Sequence, residues 1–524
     1  MELTDIQKGL NNFTEELTSQ TYHHTYRVQK RDSLLADGLG TRANSIWKMA
    51  QYIVATYDNK KDVPLDSYLN GWKTLVKNYK DQILIIEIDD EHHWQMYDSY
   101  LNLLGNEQYI AEYFQKHTKA SLSDATYASY LSALRTKPFV LLAGISGTGK
   151  SRIVRKLAQA TNPKTYAKEE DRWKDNRPEN FELIQVKPNW HNSMDLVGYY
   201  SNVNGKYTCP KFVKFIAKAW LDQKTPYFLC LDEMNLAPVE EYFAEFLSAI
   251  ESRSDNGEGY ITDPIIDPFN GFDSESDEGK RVSDQMIADL LGALDNDDKR
   301  RIAEQFRTKG LTLPPNLMVM GTVNMDETTF TFSRKVLDRA MSMEMNEVDY
   351  DAFLSGETET MPILTAFNSL LVDRPQKATE VKDDIEAEQI VAYLKSINAL
   401  LEGTPFKLGY RAANEAMLYV SACQDFANDG FKLENALDEF TLMKILSRIE
   451  GDDSRLTLND NDERLGNAGI ATADLLDDDE DSPNLLHGLR AIVRKHIGLN
   501  SKTEKKISIM LKTMEHEHFV SYWN

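Results

Sequence analysis

Eight residues, Gly144-Ile145-Ser146-Gly147-Thr148-Gly149-Lys150-Ser151, fit the G-x-x-x-x-G-K-[ST] spacing of a phosphate-binding loop. A triphosphate needs many donors converging on its oxygens. Gly144, Gly147 and Gly149 open backbone conformations that side chains forbid, so successive N–H groups can point inward. Ser146 and Thr148 complete the loop. A helix starting near Lys150 would add the positive end of its dipole. Lys150 is then expected to reach the β- and γ-phosphates, with the Ser151 hydroxyl as a Mg²⁺ ligand.

A second set of groups lies farther along. Tyr227-Phe228-Leu229-Cys230-Leu231-Asp232-Glu233 is an apolar run ending in two carboxylates, the pattern of a Walker B strand. Asp232 is expected to hold the Mg²⁺ shell. Glu233 is placed to orient and deprotonate an attacking water. Gly321-Thr322-Val323-Asn324 ends another apolar run with an amide, and Asn324 is suited to hold that water or the γ-phosphate from the side. A transferring phosphoryl group builds charge on its equatorial oxygens, which an arginine from a neighbouring subunit can stabilise. Arg339 is the first choice for that finger and Arg334 the reserve. Arg411, after Gly409-Tyr410, is placed to report the nucleotide state.

These groups need a scaffold. Val140-Leu141-Leu142 reads as a buried strand, and Ile153, Leu157 and Ala158 share one face of a following helix. Further strands are expected at Phe181–Val186, Tyr227–Leu231 and Leu317–Val323. Helices are expected at Leu122–Arg135 and Phe212–Leu221, and one amphipathic helix over Pro238–Arg253, opened by its proline. Asn204-Gly205 between tyrosine-bearing arms signals a type I′ hairpin. Residues 255–310 form an insertion with helices of its own, where Met286, Leu290 and Leu294 make one stripe. From Asp349 the pattern turns helical. The division is therefore 1–119, an N-terminal domain whose ligand is unreadable; 120–348, an α/β nucleotide-binding core; and 349–524, a helical lid and C-terminal region.

With 524 residues the chain has room for several domains. Its net charge of −24 argues against a protein that coats DNA along its whole surface, so any nucleic-acid contact must be local. Acidity gathers at Asp273–Glu278 and Asp474–Asp481, read as solvated loops. Cys209, Cys230 and Cys423 lack metal or disulfide spacing, which with a polar first twenty residues fits a cytoplasmic protein. No apolar run approaches a membrane span. His92-His93-Trp94 and His516-Glu517-His518 read as structural or surface residues rather than metal sites.

The order of phosphate loop, Walker B strand, polar strand end, trailing arginine and helical region with another arginine resembles the AAA+ superfamily. LDEMNLAPVEEYFAEFLSAIES, GTVNMDETTFTFSRKVLDRA, GYRAANEAM and the hairpin stretch DLVGYYSNVNGKY resemble its dynein-related, McrB-like branch over about residues 120 to 450. The resemblance implies an α/β AAA+ P-loop NTPase core, a parallel sheet flanked by helices, with an α-helical lid and a separate mixed N-terminal domain. It implies a homohexameric ring completing each site from its neighbour, with ATP, or GTP, and Mg²⁺ as ligands. It also implies a separately encoded McrC-like or other nuclease partner in restriction or anti-phage defence, with DNA reached through the ring or that partner. No nuclease motif is visible in this chain. A MoxR-like remodelling chaperone is the alternative enzyme, and a nucleotide-gated scaffold the non-enzymatic one. The scaffold has no need of Glu233.

Overall fold

A computed structural model describes residues 125–523, apart from 256–259, 274–280, 326–331, 347–375, 427–430, 460–461 and 478–481, together with 87–88 and 94–95. The chain divides into two units. The first comprises Met1–Ser121 and Ala366–Ser369, within which Glu87–Ile88 pairs antiparallel with Trp94–Gln95. The remainder of the expected N-terminal domain, His92 and His93 included, lies outside the described residues. The second unit, Leu122–Thr365 with Leu370–Asn524, carries both the α/β part and the C-terminal helices.

Five parallel strands form the central sheet of that unit: β1 (Phe139–Gly144), β2 (Phe181–Gln185), β5 (Tyr227–Asp232), β6 (Leu317–Asn324) and β7 (Met341–Glu344). The spatial order is β7-β1-β6-β5-β2. Strands buried on both faces read as continuous apolar runs, and all six residues of β1 are buried. Parallel strands need crossovers, here helical. After β1 comes α1 (Lys150–Thr161), with Ile153, Val154, Leu157 and Ala158 buried. Before β5 comes α2 (Lys211–Leu221). All five strands run the same way, so their carboxyl ends lie on one edge, where open α/β sheets bind ligands.

Three local expectations change. The hairpin forms as β3 (Tyr199–Ser201) and β4 (Lys206–Thr208), but Ser201 pairs with Lys206 across a four-residue loop. Gly205 takes φ 60 while Asn204 stays out of the left-handed region, so the turn is not type I′, which requires positive φ at both central residues. The amphipathic helix over Pro238–Arg253 is two pieces, Val239–Tyr242 and α3 (Ala244–Glu251), broken at Phe243. The break seats Phe243 and Phe246 together against Phe139 of β1, at 5.7 and 5.6 Å between ring centroids. β7 was not expected at all. Met-Ser-Met-Glu has no β-branched residue, and its pairing with β1 makes it a strand.

Within the insertion, α4 (Val282–Leu291) and α5 (Asp297–Lys309) bury Met286, Ile287, Ile302 and Phe306 in the same hydrophobic core as α2. Leu290 and Leu294 pack partly buried against it. Downstream, α6 (Tyr410–Phe426) carries Glu415, which is buried with Lys137 and Lys444. Glu415 pairs with Lys137, and with Lys444 at 3.0 Å. The lysine ammonium groups also donate to the Asp338 carbonyl, at 2.9 Å from Lys137 and 3.0 Å from Lys444. The chain ends on α7 (Lys502–Glu517) and β9 (Phe519–Ser521), which pairs antiparallel with β8 (Glu450–Asp452).

Candidate active site

A cleft of about 370 Å³ opens at the carboxyl ends of the sheet, lined by the phosphate loop, the start of α1, and the ends of β5 and β6. Of the residues singled out from sequence, Ser146, Gly147, Gly149, Lys150, Ser151, Asp232, Glu233 and Asn324 line it together. The loop's backbone explains its glycines. Gly147 and Gly149 have φ of 91° and 84°, in the left-handed region. At Gly144 space is the reason, since a Cβ there would collide with the Met345 carbonyl and sit 2.7 Å from Asn346 Oδ1.

Lys150 is buried, and its ammonium donates to the Gly144 and Ile145 carbonyls at 2.7 Å each. Thr148 Oγ1 donates to the Ile145 carbonyl at 3.1 Å, closing the loop from within rather than facing the cleft. The Ile145 N–H donates to Asn346 Oδ1 at 2.9 Å, so the turn is also held from the segment after β7.

Strand register brings the carboxylates to the loop. Asn324 is paired with Gly144 across β6 and β1, and Gly321 with Leu231 across β6 and β5. Thr322 is 3% exposed. Its hydroxyl donates to Asp232 Oδ1 at 2.9 Å and accepts from the Glu233 N–H at 2.9 Å. Asn324 Nδ2 lies 3.4 Å from Glu233 Oε1, and the Asn324 carbonyl accepts from Asn235 Nδ2 at 2.9 Å. Glu233 has φ 55° and ψ 52°. A left-handed backbone is unusual for a side chain of this size and clusters at functional sites.

The cleft also holds Arg152, Arg155 and Thr322, which the sequence reading left without a role. Arg155 stacks its guanidinium 5.5 Å above the Phe181 ring. Thr322 was legible in principle: it stands two residues before Asn324 in an apolar strand and therefore shares its face. Asn346 had no local signal.

The three arginines singled out from sequence lie elsewhere. Arg339 Nε donates to the Leu247 carbonyl at 2.9 Å and stands 3.4 Å from Glu251 Oε2. Arg411 pairs with Glu251 Oε1. Arg334 donates to the Pro405 carbonyl at 3.0 Å and lies over the Phe406 ring. None of the three lines the cleft of its own chain. Among the described residues no cluster of His, Cys, Asp or Glu could hold a metal ion by itself, and no helix is long and apolar enough to cross a membrane. Burial pushes the Cys230 thiol up, as expected of an inert core cysteine.

Oxygen donors suited to Mg²⁺ do converge here. Ser151 offers a hydroxyl and Asp232 a carboxylate on the same cleft, a donor set that a hard cation sharing its shell with phosphate oxygens and waters accepts.

A family model described as a domain of unknown function (DUF8727) matches residues 368–519. No curated protein matches the chain. Among solved structures, one described as a "putative ATPase" from Cytophaga hutchinsonii ATCC 33406 is similar at 15% identity and a TM-score of 0.36, covering 71% of this chain and 96% of its own.

Proposed function

We propose that this chain is a Mg²⁺-dependent nucleoside triphosphatase of the AAA+ type, with the C-terminal helices as its lid. The observation that carries the reading is the convergence of Lys150, Ser151, Asp232, Glu233 and Asn324 on one cleft, from three segments far apart in sequence. The loop's backbone N–H groups and Lys150 would bind the β- and γ-phosphates, with the α1 dipole behind them. Ser151 and Asp232 would hold Mg²⁺, which when bound neutralises charge on the phosphate oxygens. Glu233 would accept the proton of the attacking water at a carboxylate oxygen, and Asn324 would hold Glu233 and that water in line.

The sequence likeness to the McrB-like branch supports a finer reading. In it the chain assembles as a ring, hexameric in that group. Arg339 completes a neighbour's site, Arg411 reports nucleotide state, and turnover drives a separately encoded nuclease acting on DNA. ATP is the expected nucleotide, with GTP tested beside it.

The test is turnover of MgATP and MgGTP by the full chain, with and without duplex DNA and the product of a neighbouring nuclease gene. Hydrolysis stimulated by either supports the restriction reading. Hydrolysis indifferent to both favours a remodelling chaperone. Failure to bind either nucleotide ends the reading altogether.

A further inference from the structure

We infer that Thr322 is a positioning residue whose single hydroxyl sets both acidic groups of the site, an inference that rests on the triphosphatase reading above. A hydroxyl has one proton and two acceptor lone pairs. Here the proton goes to Asp232 Oδ1 and a lone pair receives the Glu233 N–H, each at 2.9 Å. The two bonds do different jobs. The first occupies one carboxylate oxygen of Asp232 and turns the other towards the cleft for the metal's shell. The second anchors the backbone of Glu233 in its left-handed conformation, φ 55°, and so sets where that carboxylate projects.

Thr322 is suited to this because the β-branched side chain is stiff at χ1, and a central strand buried on both faces fixes its backbone. Its register beside β5 comes from the Gly321–Leu231 pairing, one residue before the carboxylates begin. Neither of these two bonds goes to the phosphate loop. It therefore acts on the metal and the water, and leaves the grip on phosphate alone.

That separation gives the test. In the full chain, Thr322→Val keeps branching and strand preference but removes the hydroxyl, and Thr322→Ser keeps the hydroxyl. Loss of an outer-shell partner costs about 10- to 100-fold in activity or metal affinity. Thr322→Val is expected to lower kcat within that range and to raise the half-saturating Mg²⁺ concentration. Binding of ATP without Mg²⁺ is expected to stay within about twofold of wild type, because uniform phosphate binding is untouched. Thr322→Ser is expected to recover most of both losses.

The role is overturned by a Thr322→Val protein that turns over at the wild-type rate, or by a Thr322→Ser protein as slow as Thr322→Val. It is equally overturned if Mg²⁺-free ATP binding falls together with kcat, which marks a packing role. Should Thr322→Val not accumulate folded, Thr322→Ala carries the same expectations. A wild-type protein that hydrolyses neither nucleotide removes the proposed reaction and this role together. Wild-type hydrolysis with an unaffected Thr322→Val removes only the role.

Discussion

Arg339 and Arg411, from different segments of the chain, meet on one carboxylate: Glu251 at the end of α3 faces Arg339 Nε through Oε2 and Arg411 through Oε1. The two arginines that sequence reading assigned to the phosphates are thus gathered beside each other and away from the cleft of their own chain. Glu251 and Arg411 are both exposed, so this pairing is a solvent-screened surface contact. On the proposed ring reading Arg339 would serve a site on another subunit, and the first prediction tests that proposal.

Arg339→Ala is expected to bind triphosphate normally and to lose hydrolysis by about 1,000-fold or more, the range of arginine fingers. Mixing it with Lys150→Ala protein is expected to restore part of the rate, since each then supplies what the other lacks. Steady-state hydrolysis across mixing ratios checks this. A flat line across the mixtures rules out action across an interface.

Glu233→Gln preserves the shape of the side chain and the Asn324 contact but removes the base. Turnover is expected to fall by about 100- to 10,000-fold, with triphosphate binding intact. Single-turnover kinetics beside equilibrium nucleotide binding separates the two. Parallel loss of binding and turnover would make Glu233 structural.

Asn346 holds the Ile145 N–H from outside the loop, and its amide nitrogen donates to Glu344 Oε1 at 2.5 Å. Glu344 in turn faces Lys506 Nζ of α7 at 3.0 Å. Asn346→Ala leaves the loop N–H without that acceptor, a change of about 1 kcal/mol, or roughly fivefold weaker nucleotide binding. Lys506→Met is expected to weaken binding less, and the double variant no more than Asn346→Ala alone. Isothermal titration of the four proteins closes the cycle, and strict additivity would show that α7 does not act through Asn346.

Lys137 gives a pH signature. Burial, reinforced by the Lys444 charge, pushes its ammonium from the ordinary 10.5 down to about 7. Between those values the unfolded chain binds the extra proton and the folded chain does not, so stability rises with pH across that window, by at most about 1.4 kcal/mol per pH unit. Below the folded value both states are protonated and this contribution is flat. Lys137→Met is expected to flatten the slope in that window while leaving the acid side unchanged. Urea midpoints measured from neutral to alkaline pH check it, and an unaltered slope would place the titration elsewhere.

Much of the site was legible because it is written in short local strings. The loop's glycines and Lys150 depend on backbone conformations set within eight residues, and the Asp232-Glu233 pair and Asn324 stand at the ends of two apolar strands. Strand and helix positions followed from apolar runs and spacing for the same reason. The local reading failed where neighbours decide the outcome. Met341–Glu344 is a strand because β1 lies beside it. The helix breaks at Phe243 where two rings seat on Phe139. The hairpin's turn type follows from the Ser201–Lys206 register rather than from Asn204-Gly205.

By itself, then, the sequence determined the chemical inventory: a phosphate loop, two carboxylates and an amide at strand ends, and a supply of arginines. Tertiary structure alone decided which of them meet. The bonds from Thr322 to Asp232 and Glu233, from Asn346 to Ile145, and from Glu251 to Arg339 and Arg411 join residues far apart along the chain. The Thr322 bonds follow from strand order and register and the others from how helices and loops pack around the sheet, none of which leaves a periodicity in any one segment.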